Sequence, residues 1–146
     1  MSKKVRFLGL VGVLSYMELV CGCAVIKTAD YAKGGLGCEE GQVVRTELYF
    51  GLGTRGGGGV SESEWEEFVG EHITPRFKEG LTIVDASGRW PGKMGEVINE
   101  RTKIVILVHS NSKEAGEAIE DVRDKYKKLF EQESVLRVSD CVDASF

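Results

Sequence analysis

Hydrophobic and polar residues alternate over residues 43–50, the pattern of a strand with one face on a core and one more polar. Val44, Thr46, Leu48 and Phe50 fall on one side, and Val43, Arg45, Glu47 and Tyr49 on the other. The strand stops at Gly51, Gly53 and the four glycines at 56–59, because glycine gives up too much backbone entropy to sit in regular structure. The period then changes. Ser61-Glu62-Ser63-Glu64 is a capping box, and Trp65, Phe68, Val69 and Ile73 follow at helical spacing. Pro75 marks the exit and Gly80 the next break. Leu81-Thr82-Ile83-Val84 opens a second strand.

The Ser-Gly and Pro-Gly pairs between residues 85 and 92 are turn signals, and residues 95–100 extend a ragged hairpin. Ile104-Val105-Ile106-Leu107-Val108 is a continuous apolar run, as in a central strand covered on both faces. A second helix is expected from about Asn111, with Glu114 completing a capping box. Ala115, Ala118, Ile119, Val122, Tyr126, Leu129 and Phe130 form its apolar stripe. A last strand spans 135–142.

The order β-α-β-β-α-β predicts an α+β, ferredoxin-like fold: a four-stranded antiparallel sheet with two helices on one face. The last strand then lies beside the first and antiparallel to it. That places Cys38, just before the first strand, near Cys141, toward the end of the last, and a disulfide between them is expected.

The chain has 146 residues, enough for one domain with a core. Its formal charge of -4 argues against nucleic acid or an anionic membrane surface as a partner. Residues 1–22 read as an export signal of lipoprotein type: Lys3, Lys4 and Arg6 precede an apolar run, and Val20-Cys21-Gly22-Cys23 resembles a lipobox with Cys23 as the lipidated residue. A plainly cleaved signal, an uncleaved anchor and an ordinary first helix remain alternatives, since Glu18 interrupts the apolar run. Residues 23–41 read as a flexible linker and 42–146 as the ferredoxin-like domain.

Several motifs together resemble a bacterial family known as domain of unknown function 3574. They are Thr46-Glu47-Leu48-Tyr49-Phe50-Gly51-Leu52, Val60-Ser61 with Trp65 and Phe68, Thr74-Pro75-Arg76-Phe77, Gly80-Leu81-Thr82, and Asp85-Ala86-Ser87-Gly88-Arg89-Trp90. The resemblance runs over about residues 43–146 and implies a small exported protein with a lipoprotein-like leader. It implies no catalytic residues.

The candidate chemistry is sparse. Gly51-Leu52-Gly53-Thr54-Arg55-Gly56 fits a dinucleotide-binding glycine pattern, with Asp85 at the end of the next strand. However, the following helix opens with Glu62, Glu64, Glu66 and Glu67, which would repel a pyrophosphate, so no such site is expected. Arg45, Glu47, Tyr49, Leu107, His109 and Arg137 are expected to share the sheet face away from the helices, where they would form an interface or an acid/base site. Arg76 is expected to pair with Asp85 or Glu47, or to bind an anionic ligand, with Phe77 in the core. Trp90 is expected to close over the core, and His72 to lie on the surface at a helix end. No metal site or cofactor is implied.

The expectation is a bacterial cell-envelope lipoprotein domain, on the periplasmic side or the outer surface. It acts as a non-enzymatic binding or interaction module through its open sheet face. The alternative is a small cofactor-free enzyme with an acid/base site there. The expected partners are the membrane through the lipid anchor, a second copy in a homodimer, and a protein or small molecule, with no nucleic acid.

Overall fold

The computed structural model describes residues 36–53, 58–91 and 95–145. The expected leader, the lipidation position Cys23 and the first part of the expected linker lie outside these residues.

Four strands form one open antiparallel sheet: β1 (Val43–Gly51), β2 (Thr82–Pro91), β3 (Val97–His109) and β4 (Leu136–Val142). They lie in the order β2-β3-β1-β4. The closing strand does pair with the opening one, Glu47 opposite Val138 and Val44 opposite Cys141. Cys38 and Cys141 are joined by a disulfide. No two neighbouring strands run parallel, so the sheet lacks the geometry of a dinucleotide fold.

Helix α1 (Glu62–Phe68) starts as its sequence dictates. The Ser61 hydroxyl accepts from the Glu64 amide, and the Glu64 carboxylate accepts from the Ser61 amide at 2.8 Å. It then widens into a π turn, Val69–Ile73, with the Thr74 amide donating to the Val69 carbonyl. With the wider turn Ile73 is fully buried, and His72 lies against the flank of Phe68. Helix α2 (Lys113–Leu129) begins one residue later than the sequence suggests, capped by Ser112. Asn111 instead clasps the backbone of Leu36, donating to its carbonyl and accepting from its amide. Leu36 to Gly41, within the segment read as linker, are thus tied to the domain at Leu36 and again at Cys38. Leu129, counted on the apolar stripe, is exposed at the helix end.

The core lies between the sheet and both helices. Leu48, Phe50, Val105 and Leu107 from the sheet meet Trp65, Phe68 and Ile73 on one side and Ile119, Val122 and Tyr126 on the other. Phe50 stands 4.7 Å from Tyr126 and 5.3 Å from Trp65, ring centre to ring centre, at steep angles. Phe77 is buried there as expected.

Two local readings need correction. The turn expected at Ser87-Gly88 is strand: β2 runs through it to Pro91. Gly88 survives in mid-strand because the Trp90 indole lies on it; a Cβ at Gly88 would sit 2.9 Å from that ring. Trp90 therefore covers its own strand, not the core, and remains 42% exposed.

Candidate functional site

Register decides which side chains meet. Residues directly opposite one another in a sheet point to the same side. Val44 faces His109, Thr46 faces Leu107 and Leu48 faces Arg137, and all of these positions lie on the helix side. The expected grouping of Leu107, His109 and Arg137 with Arg45, Glu47 and Tyr49 is therefore wrong. The open face carries Arg45, Glu47 and Tyr49 from β1, Ile104, Ile106 and Val108 from β3, Leu136, Val138 and Asp140 from β4, and Val84 and Trp90 from β2.

On that face Glu47 is a hub. One carboxylate oxygen accepts from Arg45 Nη2 at 2.5 Å and the other from the Tyr49 hydroxyl at 2.6 Å. The hydrogen bond to Glu47, then burial, hold the Tyr49 phenol above its ordinary value, so it stays protonated near neutrality. A carboxylate engaged at both oxygens and a phenol kept neutral form a positioned polar patch.

Around the patch the face is apolar and open. Val84, Val108, Leu136 and Val138 are each between 37% and 49% exposed. Where β1 ends, a cleft of about 890 Å³ opens between Tyr49, Trp90, Ile98 and Leu136, floored by Gly51, Gly53 and Gly59. Glu100 reaches into it. Its carboxylate accepts from the Gly53 amide at 2.9 Å and from Trp90 Nε1 at 3.0 Å. A Cβ on Gly51 would lie 2.5 Å from the same carboxylate, so the two compete for one space. Sequence reasoning missed Glu100. The signal for it in the sequence is the Gly-x-Gly that ends the first strand.

His109 lies within a buried chain on the far side of the sheet. Its Nδ1 donates to the Ser110 carbonyl at 2.8 Å, which leaves Nε2 to accept from the Thr46 hydroxyl at 2.9 Å. Thr46 in turn accepts from Ser139 at 2.8 Å. The chain has the connectivity of a hydroxyl activated by a histidine, but Thr46 is fully buried and no substrate can reach it. Burial holds the imidazole below its ordinary value, with Arg137 adding to the effect.

Arg76 is not part of the face either. It pairs with Asp121 on α2 at 2.6 Å and donates to the His72 carbonyl, bracing α1 against α2. Arg137 is paired to Glu120 of α2 at 2.9 Å. The buried charge that sequence reasoning overlooked is Lys103, held between Glu62 at 2.6 Å and Asp85 at 2.8 Å. Hydrogen bonds to Asp85 and then Glu62 push its ammonium above the ordinary lysine value, and Lys103 holds Asp85 low. Asp85 is thereby a structural partner of α1 and β3. Among the described residues no group of three or more His, Cys, Asp or Glu side chains is placed to hold a metal ion. No helix among them is long and apolar enough to cross a membrane.

The family described as "Protein of unknown function (DUF3574)" matches residues 45–146, and the chain belongs to it. No curated protein matches the chain. Among solved structures, a phage SAM lyase in complex with S-methyl-5'-thioadenosine is similar at 15% identity and a TM-score of 0.54, over 70% of this chain and 83% of that one. The same lyase in its apo state gives 16% identity and a TM-score of 0.54, over 69% and 82%. CutA1 from Oryza sativa gives 8% identity and a TM-score of 0.47, over 72% and 84%. At such identities the likeness is one of fold.

Proposed function

We propose that this member of the DUF3574 family is a non-enzymatic interaction module of a bacterial cell envelope, anchored by a lipid on Cys23 and presenting its open sheet face to a partner. The observation that carries the reading is that Val84, Val108, Leu136 and Val138, set around the Arg45–Glu47–Tyr49 patch, stay exposed on one side of the sheet while the helices fill the other. Exposed apolar side chains gathered on one face and interleaved with polar groups suit an interaction surface. Leu36 and the Cys38–Cys141 bridge pin the start of the described domain at one end of the sheet, where a tether would join it. Native-gel migration of the detergent-solubilised protein tests the reading. Wild type should run in an assembly above the mass of one chain, and Val138→Lys should release it. Wild type and variant both running as a single chain would end this reading.

A second reading is favoured by one observation, the roomy cleft beside Tyr49, Trp90 and Glu100. A small molecule bound there would make the protein a cofactor-free enzyme or a ligand-sensing domain. The phage lyase of similar fold binds S-methyl-5'-thioadenosine, which makes that compound the first to try. Thermal unfolding in its presence should shift upward if the cleft accepts an adenine thioether. No shift at millimolar ligand rejects that ligand class. Glu47→Gln and Tyr49→Phe distinguish the two readings: an interface loses association, whereas a catalytic site keeps its assembly and loses turnover.

A further inference from the structure

The β2–β3 hairpin outruns the sheet that supports it. β3 pairs with β1 only as far as Thr102, opposite Gly51. β2 and β3 continue to pair with each other from Ser87 opposite Arg101 to Pro91 opposite Val97. Among the described residues this outer stretch is a two-stranded arm with no third strand beside it. Its open side exposes Trp90 at 42% and Ile98 at 46%, while the other side carries Arg89, Asn99 and Arg101, with Val97 at 65% exposed at the outer end. A lone two-stranded ribbon is marginal in water, and one that exposes tryptophan, isoleucine and valine is stabilised by contact with something else.

We infer that a second copy of this chain covers the arm and the open sheet face, so that the interface proposed above is a self-association surface. The inference rests on the interaction-module reading and names its partner. Size is the first argument. Four strands at roughly 4.8 Å spacing, over about seven residues at about 3.3 Å each, give a footprint of roughly 450 Å². The arm adds about 160 Å² by the same spacings. Accessible area exceeds a flat footprint, so the whole approaches the ~800 Å² per partner of a stable interface.

Charge is the second argument. The open face carries Arg45, Glu47 and Asp140, both signs close together, and Glu47 is already bonded to Arg45 and Tyr49. Such a face offers no single-sign field for a strongly charged partner, and it does not repel its own copy. The helix side is different. Glu62, Glu64, Glu66, Glu67 and Glu71 crowd α1 and its π turn, and a chain of net charge -4 would repel itself there. Reach is the third. An arm extending past its own sheet can lay Trp90 and Ile98 on the Leu136–Val138 edge of a neighbour's open face. The cleft at its base would then be closed by the second copy.

The test uses the full chain, co-expressed in cells with two different epitope tags and carrying a photo-crosslinking amino acid at Val138 or Trp90. Illumination should yield an adduct of twice the chain mass bearing both tags. The same group at Lys125, on the outer side of α2, should yield none. Ile98→Asp should abolish the doubly tagged adduct from Val138. An intact Cys38–Cys141 bridge on a non-reducing gel shows that this variant still folds. Absence of a doubly tagged adduct at both face positions overturns the inference. If those positions instead crosslink only to another protein, self-association falls while the interaction module stands. If neither position gives any adduct, both fall.

Discussion

His109 shows how one side chain can make stability depend on pH without taking part in any chemistry. Its ring is neutral in the fold, donating to Ser110 and accepting from Thr46, and burial holds its pKa below the ordinary 6.5. As pH falls through 6.5 the unfolded chain takes up a proton that the folded chain refuses. Folding stability from this group is therefore complete above that pH and is lost on acidification toward the depressed folded pKa. Urea midpoints should drop between pH 7.5 and pH 5.5 in the wild type. In His109→Gln, which can still bond Thr46, that slope should flatten. An unchanged slope would show that other groups carry it. Lys103 behaves oppositely in sign, since its two carboxylate partners favour the charged form, and it stays ionised throughout this range.

At the level of single elements, the end of β1 and the start of the arm are one construction. The Glu100 carboxylate occupies the space a Cβ on Gly51 would need, so a side chain there has to push that carboxylate aside. Glu100 in turn fixes both the Gly53 amide and the Trp90 indole. Gly51→Ala should expel the carboxylate and cost about 1–2 kcal/mol, the usual penalty for a part-buried hydrogen-bond set that is broken on one side. Adding Glu100→Ala removes the collision, so the double variant should be less destabilised than the sum of the two single ones. Additive losses would mean that Gly51 and Glu100 act independently. The π turn after α1 is a second such device. It widens the helix end without breaking it, and Ile73, four residues after Val69, is fully buried there.

For the whole molecule, the decisive link joins the two ends of the domain. Cys38 and Cys141 are 103 residues apart in sequence and close the first and last strands on each other. On the chain-entropy account a loop of that length stabilises the fold by about 4–5 kcal/mol. Reduction, or Cys38→Ala, should lower the free energy of unfolding by an amount approaching this. A loss under about 1 kcal/mol would mean that the reduced chain already holds its ends together through other contacts. The same closure, with the Asn111 clasp on Leu36, fixes where any tether leaves the domain.

Much of this architecture was legible along the chain. The capping box at Ser61, the helical stripes and the turn residues set the element order, and that order makes the first and last strands neighbours and their cysteines partners. The first strand also declared its two faces, because its residues alternate. β3 did not: Ile104-Val105-Ile106-Leu107-Val108 is apolar at every position, so no period of two marks which residues turn toward the helices. Only pairing Val44 with His109 settled that parity, and it moved His109 and Leu107 to the buried side. Pairing Leu48 with Arg137 did the same on β4. Arg76 found Asp121, Lys103 found Glu62 and Asp85, and Glu100 found Trp90 only through tertiary structure. Local pattern fixes what each element is; which charged groups meet depends on register and packing, which bring together residues far apart in the chain.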